Sequence, residues 1–137
     1  MSAIKDHHEL RVYQLAFESA MQVFELTRAF PREETYSLTD QIRRSSRSVC
    51  ANIVEAWRKR RYPASFVNKL SDADTEAAET LVWLDFALRC GYLNQQKHTE
   101  LMDHYNHICA QVTTMMNDPD SWCENVTRKA KSERGER

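Results

Sequence analysis

From Phe66 to Leu88 the apolar residues Phe66, Leu70, Ala73, Ala77, Leu81, Leu84 and Leu88 recur in steps of three or four. That spacing keeps side chains on one side of an α-helix, because about 3.6 residues make a turn. A half-buried strand would alternate in twos. No glycine or proline interrupts the run, and the 137 residues hold only two Gly and three Pro. So few breakers leave little room for the turns of a β-protein, and the expected class is all-α.

Three more segments read the same way. Helix one is expected from about His8 to Ala29 and carries two apolar sets. One is Leu10, Tyr13, Phe17, Ala20, Met21 and Phe24. The other is Val12, Leu15, Val23, Leu26 and Phe30. At about 100° per residue these sets lie on nearly opposite sides. One face can meet the protomer's own core, and the second then calls for another subunit. Pro31 ends this helix. Ser37-Leu-Thr-Asp40 resembles a capping box and opens helix two, Leu38 to about Arg58, with the stripe Leu38, Ile42, Val49, Ile53 and Ala56. Pro63 separates it from helix three, about Ala64 to Cys90, where Gly91 suits a C-cap. Helix four, about Asn94 to Asn117, uses Leu101, Tyr105, Ile108, Val112 and Met115, and Asp118-Pro119 ends it. Short connections between long helices predict an up-down-up-down antiparallel four-helix bundle over residues 1–120. A charged tail, 121–137, follows, in which Trp122 can dock.

Helix two holds an uneven charge. Between Asp40 and Tyr62 lie seven Lys or Arg (Arg43, Arg44, Arg47, Arg58, Lys59, Arg60 and Arg61) and one acid, Glu55, in a chain of net charge -1. Arg43, Arg47, Arg58 and Arg61 share a sector of roughly 60° on a continuous helix, away from the core stripe. Three explanations compete. Cations suit the negative end of the helix dipole. The acids Asp72, Glu76 and Glu79 of helix three can pair with them. Phosphates of RNA or DNA can bind them, together with Arg128, Lys129 and Lys131 of the tail. Trp57 and Tyr62 are the aromatic platforms beside the patch, too few for a base code, so backbone-directed binding is expected.

Mid-helix Asn52 and Glu55, amid apolar neighbours, are expected to bond across a helix interface and fix register. Val82, Trp83 and Phe86 fall off the helix-three seam and add apolar surface. The expected oligomer interface is therefore Val12, Leu15, Val23, Leu26, Phe30, Asn52, Glu55, Val82, Trp83 and Phe86.

Chemistry is scarce. His104 and His107 are three apart, but the di-metal bundle pattern needs Glu-x-x-His on two helices, and Glu100 precedes His104 by four. Two glycines cannot build a phosphate loop around Ser45, Ser46 and Ser48. No nucleophile elbow or paired-carboxylate site can be placed. No catalytic residue, metal, cofactor or small-molecule substrate is expected, and the protein is read as no enzyme. The cysteines Cys50, Cys90, Cys109 and Cys123 form no CxxC and read as reduced, partly buried thiols. No apolar run nears the roughly 18 residues of a membrane span, and MSAIKDHHEL lacks a signal-peptide core, so a cytoplasmic protein without a membrane partner is expected.

Leu10-Arg-Val-Tyr-Gln, Phe30-Pro31, Glu34-Thr-Tyr-Ser-Leu38, Gln41-Ile-Arg-Arg44 and Ser48-Val-Cys-Ala-Asn-Ile-Val-Glu55 carry a resemblance. Together they resemble the bacterial four-helix-bundle family named after proteins encoded in intervening sequences of 23S ribosomal RNA. They are also similar to the accessory variability determinants of diversity-generating retroelements. The likeness spans about Leu10 to Met116. It implies a barrel-like homopentamer and binding of nucleic acid, or of a nucleic-acid-processing reverse transcriptase, through Arg43, Arg44 and Arg47. The family's usual Glu-Gly is Glu55-Ala56 here, which implies that the helix continues.

Overall fold

A computed structural model describes residues 4–123. Four long helices are present: α1 (Arg11–Thr27), α2 (Leu38–Arg58), α3 (Pro63–Arg89) and α4 (Gln95–Asn117), followed by the one-turn α5 (Pro119–Trp122). Single 3-10 turns, His7–Glu9 and Arg32–Glu34, precede α1 and α2, and there is no strand among the described residues. The tail expected from Ser121 starts inside α5, where Trp122 packs against the core. The rest of it, with Arg128, Lys129 and Lys131, lies outside the described residues.

Side-chain bonds fix the directions. Thr27 near the end of α1 meets Arg43 near the start of α2. Ser45 early in α2 meets Thr80 late in α3, and Asp85 late in α3 meets His98 early in α4. Each neighbour is therefore antiparallel. α1 packs on α2 and α4, and α3 on α2 and α4, so α1 and α3 stand diagonally across the core.

The ends are set locally. At the start of α2, Ser37 Oγ accepts from the amide of Leu38 and donates to Glu34 Oε1 (both 2.7 Å). The acid completing this cap is thus Glu34, before the serine, and not Asp40 after it. Glu34 also accepts from the Tyr92 hydroxyl at 2.8 Å, tying the α1–α2 connection to the α3–α4 connection. Gly91, at φ +80°, ends α3: its left-handed conformation lets Tyr92 N bond Ala87 O in a Schellman closure. Pro63 opens α3 at its first position, and Asn94 caps α4 through Lys97 N.

The α2 stripe and the α4 set Leu101, Tyr105, Ile108, Val112 and Met115 are buried as expected. On α3 the buried line is Phe66, Leu70, Ala73, Ala77, Thr80, Leu84 and Ala87, a strict alternation of four and three, while Leu81 and Leu88 are only partly buried. Thr80 enters this line because its hydroxyl is satisfied twice. It donates to Glu76 O at 2.9 Å, and with its proton so placed it accepts from Ser45 Oγ at 2.8 Å.

The two faces of α1 are assigned the other way round from the sequence expectation. Val12, Ala16, Ser19, Val23 and Thr27 point into the core. Ser19 donates to Leu15 O and Thr27 to Phe24 O, so both hydroxyls bury without an orphaned donor. These small side chains let α1 approach closely. The bulky set Tyr13, Phe17, Ala20, Met21 and Phe24 is left at the α1–α2 edge, with Phe17 46% and Met21 43% exposed.

Candidate functional site

The seven cations of α2 and the turn after it divide into three environments. Arg43 turns toward α1: its Nε donates to Thr27 Oγ1 at 2.7 Å, and its guanidinium lies 4.9 Å from the centre of the Phe24 ring. Arg47, on the same face one turn later, stands 5.9 Å from that ring. Arg44 is exposed on the α3 side, where its charge acts on Glu76. Burial, and then the neighbouring Glu79 carboxylate, which repels the charged form and accepts a bond from the protonated one, push the Glu76 carboxyl up, and Arg44 only partly offsets them. At the far end, Arg60 folds back, donating from Nε to Trp57 O at 2.8 Å and covering the indole at 3.5 Å. Arg58, Lys59 and Arg61 are exposed.

The expected pairing of these cations with Asp72, Glu76 and Glu79 is not formed within the protomer. Among the described residues, none of the seven has a carboxylate within 4.0 Å. The ion pairs between α2 and α3 run instead through Lys69, to Glu55 at 3.3 Å, and Lys69 also reaches Asp72 at 3.9 Å on its own helix. Lys69 was not singled out in the sequence. Its signal was the spacing to Asp72, an i,i+3 pair on one face.

The aromatic platforms also separate. Trp57 is buried beneath Arg60 and offers no face to a base, whereas Tyr62 is 57% exposed. Ala56 is helical and fully buried, so the helix does continue past Glu55.

The residues named for a subunit interface fall into two groups. Val12, Val23 and Phe30 are buried in the protomer, with Phe30 against Tyr92, and Leu15, Leu26 and Trp83 pack against the core. For Val12, Val23 and Phe30 the assignment to an outer face is corrected: the small-residue stripe of α1 goes inward and carries the two valines with it, and Phe30 closes against Tyr92. Val82 and Phe86 remain exposed, at 47% and 53%. Among the described residues Asn52 does not bond across to another helix. Its amide donates to Ser48 O at 3.0 Å and Ser48 Oγ at 3.2 Å, one turn back on its own helix. Glu55 does bond across, to α3, through Lys69.

Sequence reasoning missed the groove between α1 and α2. It has a volume of about 410 Å³ and is walled by Phe17, Met21 and Phe24 from α1 and by Arg47, Cys50 and Val54 from α2. Burial pushes the Cys50 thiol up to about 11, which disfavours the thiolate form. The groove's signal in the sequence is the Tyr13–Phe24 set, one of the two apolar faces of α1. Asp6, His7 and His8 bring ligand-type atoms within 4.8 Å of one another, but Asp6 is occupied as the cap of the 3-10 turn through His8 N. His104 is partly buried with its Nδ1 unpartnered, and His107 is exposed. None of the described helices is long and apolar enough to cross a membrane.

Comparisons with known proteins bear on what this arrangement is for. A solved structure from Bacteroides thetaiotaomicron VPI-5482, a protein with unknown function from the S23 ribosomal protein family, is similar at 28% identity with a TM-score of 0.70. The alignment covers 77% of this chain and 95% of that one. No curated protein matches. The family model described as 23S rRNA-intervening sequence protein matches residues 8–114, from the 3-10 turn before α1 to the last turn of α4. With nearly the whole bundle matched, the chain belongs to the 23S rRNA-intervening sequence protein family.

Proposed function

We propose that this protein is a non-enzymatic homo-oligomer, a pentamer by the family resemblance, that binds the backbone of RNA or DNA through α2 and the turn after it. The observation that carries this is the unneutralised charge: seven cations within nineteen residues, none in an ion pair among the described residues, in a chain of net charge -1. Arg44, Arg58, Lys59 and Arg61 are the exposed members. A backbone partner fits better than base reading, because Tyr62 is the one exposed aromatic beside them. Membership in a family named for 23S rRNA-intervening sequences favours RNA. The four unpaired thiols fit a cytoplasmic place of action. A second reading, a scaffold whose arginines meet acids of a neighbouring subunit, is favoured by the exposed Asp72 and Glu79 on α3.

The test is fluorescence anisotropy of a labelled RNA hairpin and of duplex DNA across a salt series. Four exposed cations per subunit predict a log–log salt slope of about -3 to -4 per subunit engaged. Replacing Arg58, Lys59 and Arg61 by Gln is expected to make that slope shallower by about 2 to 3. No binding at about 50 mM salt, or an unchanged slope in the triple variant, refutes the proposal.

A further inference from the structure

We infer that the α1–α2 groove and the outer stripe of α3 are the two halves of one joint between copies of this chain, so that subunits add head to tail. The inference rests on the oligomeric reading above and specifies its contact.

Both halves are apolar, exposed and uncovered within the protomer. The groove presents Phe17 (46% exposed) and Met21 (43%). The stripe presents Val82 (47%) and Phe86 (53%), one turn apart. Val82 and Phe86 lie about 160° round the helix from the buried Leu84, so the stripe points away from the bundle axis. The groove opens between α1 and α2, with α1 diagonal to α3, so a single copy cannot close one half on the other. Exposed apolar patches of this kind mark contact surfaces.

Shape and charge select the pairing. The groove is concave and edged by cations, Arg43 and Arg47. The stripe is the convex outside of a helix; toward the helix start the same face carries Glu79 and Asp72, and toward its end Arg89, so it is acidic on balance. Groove on groove would leave two hollows facing each other, and stripe on stripe would set ridge against ridge. Groove on stripe joins opposite signs and fills a hollow with a ridge. Such a contact is heterologous, and repeated it closes a ring or continues as a filament. It assigns Arg43 and Arg47 to the joint and leaves the phosphate contacts to Arg44, Arg58, Lys59 and Arg61.

The test uses full-length protein and two exposed-site variants, Phe17→Glu and Phe86→Glu, by sedimentation velocity and native mass spectrometry, with far-UV circular dichroism as the folding check. Met21→Glu and Val82→Glu replace any variant that loses its helical signal. Wild type is expected to assemble beyond a dimer, and each variant alone to be a monomer. A 1:1 mixture is expected to give heterodimers and nothing larger, because each variant keeps one intact half. If wild type assembles and the mixture stays monomeric, or either variant assembles as wild type does, the joint is wrong and the oligomeric reading stands. A wild-type monomer at micromolar concentration removes the oligomeric reading and the joint with it.

Discussion

Arg43 looks in the sequence like one more member of a basic face, yet its contacts make it a clamp between α1 and α2. The Thr27 hydroxyl spends its proton on Phe24 O at 2.9 Å, so its oxygen is an acceptor for Arg43 Nε at 2.7 Å. A hydrogen bond from a charged donor contributes about 1.5–3 kcal/mol, here near the lower end because Arg43 is only half-buried. The guanidinium over Phe24 adds about 0.5 kcal/mol at such a site. Arg43→Ala should therefore cost about 2 kcal/mol, and Arg43→Lys about 1, since lysine keeps the charge but not the Nε donor. Arg44→Ala, an exposed neighbour, should stay within about 0.5 kcal/mol. In urea unfolding followed by circular dichroism, a slope of about 2 kcal/mol/M turns these values into midpoint shifts of about 1, 0.5 and under 0.3 M. Protein concentration must be held fixed, because assembly couples to unfolding. If Arg43→Ala moves the midpoint no further than Arg44→Ala while weakening nucleic-acid binding as strongly as the Arg58–Arg61 changes, the clamp reasoning is wrong.

Two further predictions concern the joins between helices. Thr80→Val removes the acceptor for Ser45 and should cost about 1–2 kcal/mol, whereas Ser45→Ala with Thr80→Val together should cost about 1 kcal/mol less than the sum of the singles; simple additivity in a urea double-mutant cycle would contradict the pairing. The Ser37 hydroxyl first, then the Tyr92 hydroxyl and Leu38 N–H, hold the Glu34 carboxyl below its ordinary 4.5, and the same bond pushes Tyr92 up to about 12. A lowered carboxylate contributes stability above its unfolded value and loses it as pH falls through the folded one, so the Glu34 share should disappear below pH 4.5. Ser37→Ala with Tyr92→Phe should flatten the acid limb of stability against pH, and an unaltered limb in denaturation at stepped pH would show that Glu34 is not the group responsible.

The α2 stripe and the α4 core were legible because most of their positions are aliphatics at helical spacing, although α2 also buries Thr39, Ser45, Ser46 and Trp57 beside that stripe. The core of α1 was not, and the reason is chemical. Ser19 and Thr27 count as polar in any periodicity, yet each returns its proton to a carbonyl of its own helix and can be buried. A face built of Val12, Ala16, Ser19, Val23 and Thr27 therefore looks weaker than one built of Tyr13, Phe17, Met21 and Phe24, although the first packs closer. The same blindness moved the α3 seam off Thr80. Arg43 and Trp57 were misjudged for a different reason, since what occupies them, Thr27 with Phe24 and Arg60, comes from geometry that spacing along one helix does not contain.

The division of α2 follows from where its neighbours end. Early in the helix, α1 runs alongside, and any cation on that face meets Phe24 or Thr27 and becomes part of the packing. By Arg58 the helix has run about 16 Å past Arg47, at about 1.5 Å per residue, and has reached the turn into α3. There the backbone carbonyls of Ala56 and Glu55 are already taken by Lys59 N, so exposed side chains are free to face outward. Arg60 is the exception because Trp57, one turn back, gives its guanidinium both a carbonyl and a ring. One run of like charge thus serves two purposes: cations beside α1 hold helices and edge the groove, and cations past its reach are available to a phosphate backbone. A nucleic-acid contact made chiefly by the second set should survive loss of Arg43, and a subunit contact made through the groove should survive loss of Arg58, Lys59 and Arg61. The two activities are therefore expected to separate by mutation along a single helix.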